Sequence, residues 1–220
     1  MQINDSVIKS VMENLEKNNM KPYYCKTSTE AKELVMSLIK EGDTVTNGGS
    51  VTMKEIGVMD AVKERKDITY LDRNAEGLTP EEVKEIYKKA FFADVYLMST
   101  NALTLKGELY NVDGNSNRVA ALLYGPESVI VVCGVNKIVE NLDEAVKRVK
   151  TISAPKNTVR LHTGSYCENA GECMSLKNEG SFMCDGCQGA GRICCNYVVS
   201  AQQRHKDRIK VIIVDEALGY

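Results

Sequence analysis

The chain has no tryptophan and only three phenylalanines, so it offers little for stacking nucleic-acid bases. An excess of charge of one sign is also missing. The formal net charge of −2 gives no electrostatic case for nucleic acid or an anionic membrane, and neither is expected as a partner. Long apolar runs are lacking too: the longest, such as Ser128–Cys133, are strand-length and far short of a bilayer span. The opening stretch, Met1-Gln-Ile-Asn-Asp-Ser6, is neither basic nor followed by an apolar core, so no signal peptide is expected and the chain is assigned to the cytoplasm. Histidine is scarce, and neither His162 nor His205 has partners nearby at metal-ligand spacing. Both read as surface residues, although His162 lies close enough to Cys167 to be an additional ligand. In a reducing compartment, eight cysteines read as thiolate ligands or reactive thiols rather than a disulfide framework.

What is present is a chain of 220 residues, 43% hydrophobic and 26% charged, enough for one domain with a real core. Ile8, Val11, Met12 and Leu15 predict a helix over 4–18. Pro22–Cys25 reads as extended, and Thr27-Ser-Thr-Glu30 as a capping box opening a helix that Gly42 ends. Asp43–Thr46, Ile68–Leu71, Asp94–Ser99, Ser128–Cys133 and Ile209–Val214 read as strands. Ser128–Cys133 is apolar enough to be buried on both faces. A single helix is expected from Ser50 through Arg65, and another after Thr79-Pro80. Leu103–Asp113 reads as a hairpin about Lys106-Gly107, Asn117–Tyr124 as a short helix, Leu142 to Ile152 as a helix, and Ile193–Gln203 as the last helix. This alternation predicts an α/β fold with a parallel or mixed sheet and helices on both faces, which gathers the loops at the strand C-termini.

Three loop groups and one cysteine segment carry candidate chemistry. Asn47, Gly48, Gly49, Ser50 and Thr52 follow a strand and open a helix, where small residues and N–H groups suit an anion. The Lys and third Gly of the known phosphate loops are missing, so a tight structural turn is the other reading. Asn101, Thr104, Glu108, Asp113, Asn117 and Arg118 form a dense polar group after an apolar strand. There Glu108 reads as a nucleophile or base, Asp113 as a base or orienter, and Arg118 as an anion clamp, with hairpin and cap chemistry as the plain alternative. Cys133 and Cys25 read as core residues.

The cysteine segment holds Cys167, Cys173, Cys184, Cys187, Cys194 and Cys195, with glycines at 171, 180, 186, 189 and 191 that let backbone wrap a small object. Cys184-x2-Cys187 lets two thiolates converge. Tetrahedral zinc and a [4Fe–4S] cluster both remain open, and a redox dithiol is a third option. The single CxxC knuckle tilts the reading toward iron–sulfur.

The run Asn101-Ala-Leu-Thr-Leu-Lys-Gly-Glu-Leu-Tyr-Asn-Val-Asp-Gly-Asn-Ser-Asn-Arg-Val-Ala-Ala121, then Gly125-Pro126 and Val131-Val-Cys-Gly-Val-Asn-Lys137, resembles the LUD-domain (lactate utilisation) family, in particular its short stand-alone members of anaerobic bacteria. The resemblance covers essentially the whole chain, 1–220, as one LUD-type domain. It implies a Rossmann-like sandwich of the NagB/RpiA/CoA-transferase-like type, with ligands near the first Gly-rich turn, and a link to lactate oxidation alongside iron–sulfur partner proteins. The short members carry a motif similar to Cys-x5-Cys-x2-Cys-x6-Cys. Here Cys167-x5-Cys173 matches its first half and Cys187-x6-Cys194 its second, with the gap between the halves enlarged to the thirteen residues 174–186. Cys167, Cys187 and Cys194 are then the firmer ligands, with Cys173 or Cys184 as the fourth. The cysteine-rich segment spans 163–196, before the last helix and strand.

The leading expectation is an iron–sulfur protein of lactate or related organic-acid metabolism, with a small-anion pocket beside the cluster, a redox partner protein and a homo-oligomeric state. One alternative is an accessory subunit with a structural metal, favoured by the lack of a histidine base. The other is a non-redox hydrolase, isomerase or transferase.

Overall fold

The computed structural model describes residues 3–220; Met1 and Gln2, which open the stretch read as free of a signal peptide, lie outside them. The first half of the chain runs through α1 (Asp5–Lys17), β1 (Lys21–Cys25), α2 (Ser28–Leu38), β2 (Thr44–Asn47), α3 (Val51–Glu55), α4 (Val58–Glu64), β3 (Thr69–Leu71), α5 (Pro80–Lys89) and β4 (Val95–Met98). It continues through the hairpin β5 (Ala102–Thr104) and β6 (Leu109–Asp113), then α6 (Asn117–Leu123), β7 (Ser128–Gly134), β8 (Ile138–Val139), α7 (Leu142–Arg148) and α8 (Ala154–Leu161). It closes with α9 (Tyr166–Ala170), β9 (Asn196–Ser200) and β10 (Ile209–Val214).

Six strands form a parallel sheet in the order β1-β10-β7-β4-β2-β3. Side-chain alternation explains why its middle strands are apolar throughout. Val129, Val131 and Cys133 of β7 join one core with Val11 and Leu15 of α1 and Leu122 of α6. Ile130 and Val132 face the opposite core, built on Ala31 and Val35 of α2, Met53 of α3 and Val62 of α4. The expected α/β sheet with helices on both faces is therefore present. A second sheet, β8-β5-β6-β9, packs a third apolar cluster under α7, with Tyr110, Ala145, Val149 and Ala154 buried and Cys194 and Tyr197 against them. The β5–β6 hairpin turns at Gly107, whose φ of +78° and whose Cβ position, 2.9 Å from the Leu15 nitrogen, both require glycine.

Three local expectations change. The helix expected over 50–65 is two helices, because Gly57 at φ +71° breaks it between α3 and α4. Residues 142–161 are nearly continuous helix, with a π-helical turn at Val149–Ser153 joining α7 to α8, so α8 extends past the expected end at Ile152. The helix expected at 193–203 is instead strand β9, paired antiparallel with β6 from Asn196↔Asp113 to Ser200↔Leu109. Tyr197, Val198 and Val199 are strand-favouring residues, and the open edge of β6 decides their conformation. Among the described residues no helix is long and apolar enough to cross a membrane.

Candidate functional site

A cavity of about 670 Å³ opens beside the parallel sheet, where the loops after β2 and β4, the β6–α6 connection, α8 and the cysteine segment meet. Of the residues expected to bind substrate, Gly49, Ser50, Thr52, Asn101, Asp113, Asn117 and Arg118 line it. Ser50 caps α3 by accepting from the Met53 N–H at 3.1 Å. That helix is only five residues long, so the helix-terminus attraction for an anion expected from the sequence has little to draw on.

Four expected residues lie outside the lining, each for a local reason. Asn47 is buried and accepts from the Tyr70 hydroxyl at 2.7 Å. Gly48 donates its N–H to the Leu97 carbonyl, and a Cβ there would lie 2.9 Å from Cγ of Arg118, so glycine makes room for the arginine stem. Thr104 and Glu108 brace the hairpin against each other: the Thr104 hydroxyl donates to the Glu108 carboxylate at 2.7 Å and accepts from the Glu108 N–H at 3.1 Å. The hairpin brace accounts for Glu108, and its carboxylate does not reach the cavity.

Arg118 reaches the cavity wall, but its donors are occupied. Nη1 donates to Asn111 Oδ1 (2.6 Å) and the Ser99 carbonyl (3.3 Å), and Nη2 to the Val112 carbonyl (2.8 Å) and Asn101 Oδ1 (3.1 Å). Nε lies 3.4 Å from Asp113 Oδ2. Asp113 Oδ1 meanwhile accepts from the Asn115 and Ser116 N–H groups. Arg118 thus ties α6 to strand β6 and to the β4–β5 loop, while burial pulls its pKa below the usual arginine range and the Asp113 carboxylate partly offsets that.

The group the sequence reading passed over is Lys137. It is 2% exposed and lines the cavity floor. Its ammonium donates to the Thr52 and Ser99 hydroxyls, both at 2.9 Å. Burial brings its pKa down to about 8. Lys137 closes the Gly-Val-Asn-Lys run, but sequence reading there weighed Cys133. That thiol is fully buried, with its pKa pushed up to about 11, as a core residue should be. Nearby, Arg148 fixes α7 to the β4–β5 loop by donating to the Asn101 carbonyl (2.7 Å) and Ser153 hydroxyl (2.8 Å).

A second cavity of only about 30 Å³ lies beneath the cysteine segment. Cys167, Cys173, Cys187 and Cys194 line it. Cys184 does not: like Cys195 it is exposed. His162 caps the end of α8 with its side chain exposed, and His205 is also at the surface. Burial, reinforced by the neighbouring Cys167 and Cys173 thiols, pushes the Cys194 thiol up to about 12.

Two cations serve this region. Arg192 donates from Nε to the Cys194 carbonyl (2.8 Å), from Nη1 to that of Cys187 (3.0 Å), and from Nη2 to that of Cys184 (2.6 Å) and to the Tyr197 hydroxyl (3.1 Å). Lys150, buried against the cavity, donates to the Ser175 hydroxyl and the Phe182 carbonyl, anchoring the 174–186 insertion. The Tyr110 hydroxyl is buried with no hydrogen-bond partner among the described residues, and Tyr110 lines the same small cavity. Among the described residues, no three His, Cys, Asp or Glu side chains converge on a point suited to a single metal ion. Cys167, Cys173, Cys187 and Cys194 are the thiols that could hold a cluster, in which each thiolate binds a different iron. Cys194, Arg192 and Ile193 line both cavities.

The doubly covered parallel sheet with a polar cavity at its loops defines an α/β protein with a candidate ligand site where such folds place one. The sequence matches the LUD domain over residues 8–214, and the chain belongs to that family. A DUF162 family protein from Deinococcus radiodurans has a similar fold, with a TM-score of 0.53 at 12% identity over 98% of this chain and 100% of its own. A weaker likeness, to eIF2B beta from Chaetomium thermophilum, has a TM-score of 0.38 at 17% identity, over 55% of this chain and 42% of that one. No curated protein matches.

Proposed function

We propose that this LUD-family chain is an iron–sulfur redox protein that binds a small organic acid of the lactate type next to its cluster. The supporting observation is the shared wall, in which Cys194, Arg192 and Ile193 border both the thiol cavity and the polar cavity. Cys167, Cys173, Cys187 and Cys194 would hold a [4Fe–4S] cluster, which when bound supplies one-electron transfer. Seating it takes an outward adjustment of the loop carrying Cys184–Cys194, whose outer side is exposed. Lys137, with Thr52 and Ser99, orients an acid carboxylate on the cavity floor. Arg192 and Lys150 offset thiolate charge, and a separate redox protein takes the electrons. The parallel sheet with its loop-end cavity also supports placing the domain with the NagB/RpiA/CoA-transferase-like folds.

The test is protein purified without oxygen. About four iron and four sulfide per chain are expected, with a broad visible absorption that bleaches when lactate or a related acid is added. Cys→Ser at 167, 173, 187 or 194 should each lose metal, and at 184 or 195 little. One zinc and no iron would make the segment a structural staple and overturn the redox reading.

A further inference from the structure

The charge lining the larger cavity is out of proportion to a single carboxylate. Arg73, Arg118, Lys137, Arg160 and Arg192 line it, against Asp113 alone. Arg118 is answered by Asp113, and Arg192 by the cysteine loop. Lys137, Arg73 and Arg160 form no salt bridge among the described residues. Lys137 is buried and meets only neutral hydroxyls. Arg73 lies over the Tyr87 ring at 4.7 Å, and its Nε is buried with no hydrogen-bond partner among the described residues. Arg160 is exposed and held by the Tyr220 hydroxyl at 2.8 Å and by Asn157. The free cations thus differ in access, Lys137 being buried and Arg160 open to solvent. Leaving an ammonium buried without a counter-charge costs several kcal/mol, so an anion at Lys137 is the state that relieves it. A volume of about 670 Å³ is in the range that takes drug-sized ligands, and a three-carbon acid would leave most of it to water.

We propose that the physiological ligand is a hydroxy acid with two anionic groups, its carboxylate on Lys137 and a phosphate or second carboxylate on Arg73 and Arg160. This rests on the reading of the cavity as an organic-acid site and narrows the class of acid. Each added charge-assisted contact strengthens binding, so the two-anion acid should bind at least about ten-fold tighter than lactate.

Calorimetric titration of the metal-loaded protein with lactate, malate, 3-phosphoglycerate and inorganic phosphate tests this. A ten-fold or greater preference for malate or 3-phosphoglycerate over lactate is expected, and which of the two leads identifies the second group. Arg160→Ala, on an exposed side chain that should not affect folding, and Arg73→Met should each bring the ratio of affinities toward one. Lys137→Met should weaken malate, 3-phosphoglycerate and lactate alike, with circular dichroism confirming the fold. Lactate binding as tightly as both two-anion acids would overturn this inference and leave the proposed function standing. Phosphate alone matching 3-phosphoglycerate would overturn the carboxylate seat on Lys137. Binding of none of the four would remove the organic-acid site itself, and this inference with it.

Discussion

Replacing Arg192 with alanine should open the cysteine loop without unfolding the domain. One guanidinium spans the carbonyls of Cys184, Cys187 and Cys194 and the Tyr197 hydroxyl, with distances between 2.6 and 3.1 Å. The side chain is only partly buried, so water can replace some of these partners, and each bond is taken near the low end, about 0.5–1 kcal/mol. Four such bonds give about 2–4 kcal/mol, or roughly a 30- to 700-fold rise in the open population of the loop. Two assays read the same factor. Iron release to a chelator should accelerate by that amount in anaerobically purified protein. Limited proteolysis near Lys177 and Phe182, both exposed, should accelerate similarly, whether or not metal is bound. Arg192→Lys should fall between, since an ammonium lacks the planar fork that reaches three carbonyls at once. The melting of the two main cores, built on other segments, should move little. If Arg192→Ala releases iron and resists protease like the parent, the idea that this side chain organises the segment is refuted.

Gly191→Ala should also disturb the segment. Its Cβ would sit 2.1 Å from the Thr163 carbonyl oxygen, forcing the loop off the α8–α9 corner at a cost of about 1–3 kcal/mol, whereas Gly189→Ala, with nothing within 4 Å, should be neutral in a melting comparison. Tyr110→Phe removes the orphaned hydroxyl; metal-free protein should gain about 1 kcal/mol in urea unfolding, while the loaded protein should keep its iron but show a lower midpoint potential. An unchanged potential would mean the hydroxyl does not face the cluster. For Lys137, burial lowers the folded pKa from 10.5 to about 8. Between those values the unfolded chain binds more protons, so this residue's destabilising effect is full below pH 8 and fades as pH rises toward 10.5. Unfolding free energies of the parent and Lys137→Met should therefore shift relative to each other by on the order of 3 kcal/mol across that window, in favour of the parent at high pH.

Much of this molecule could be read directly from the sequence. The apolar strands β4, β7 and β10, the N-cap at Thr27 and the capping box at Thr79 stand where local chemistry puts them, because all depend on near neighbours; the full box expected at Thr27 does not close, since the Glu30 carboxylate accepts from the Lys26 N–H instead. The failures are non-local. Strand β9 follows from an edge offered by β6, eighty-odd residues earlier, which no local periodicity records. Cys184 forms a CxxC pair with Cys187, but spacing does not say which thiol faces inward, and the loop turns Cys184 out. Glu108 and Arg118 looked equally catalytic as residue types. Their partners separate them, one spent on Thr104 within its own hairpin and the other on strand β6 and the β4–β5 loop at the cavity wall. Lys137 was hidden because its neighbours, Thr52 and Ser99, are 85 and 38 residues away.

The order of strands in the large sheet has a consequence for synthesis. Among the described residues strand β1 is bonded only to β10, which joins it to β7. As the chain leaves the ribosome, β1 has no sheet partner until residues 209–214 appear, after the cysteine segment is already out. The thiols of 167–195 therefore leave the ribosome before the large sheet can close, and are more open to chemistry at that stage than in the finished fold, where Cys167 is buried.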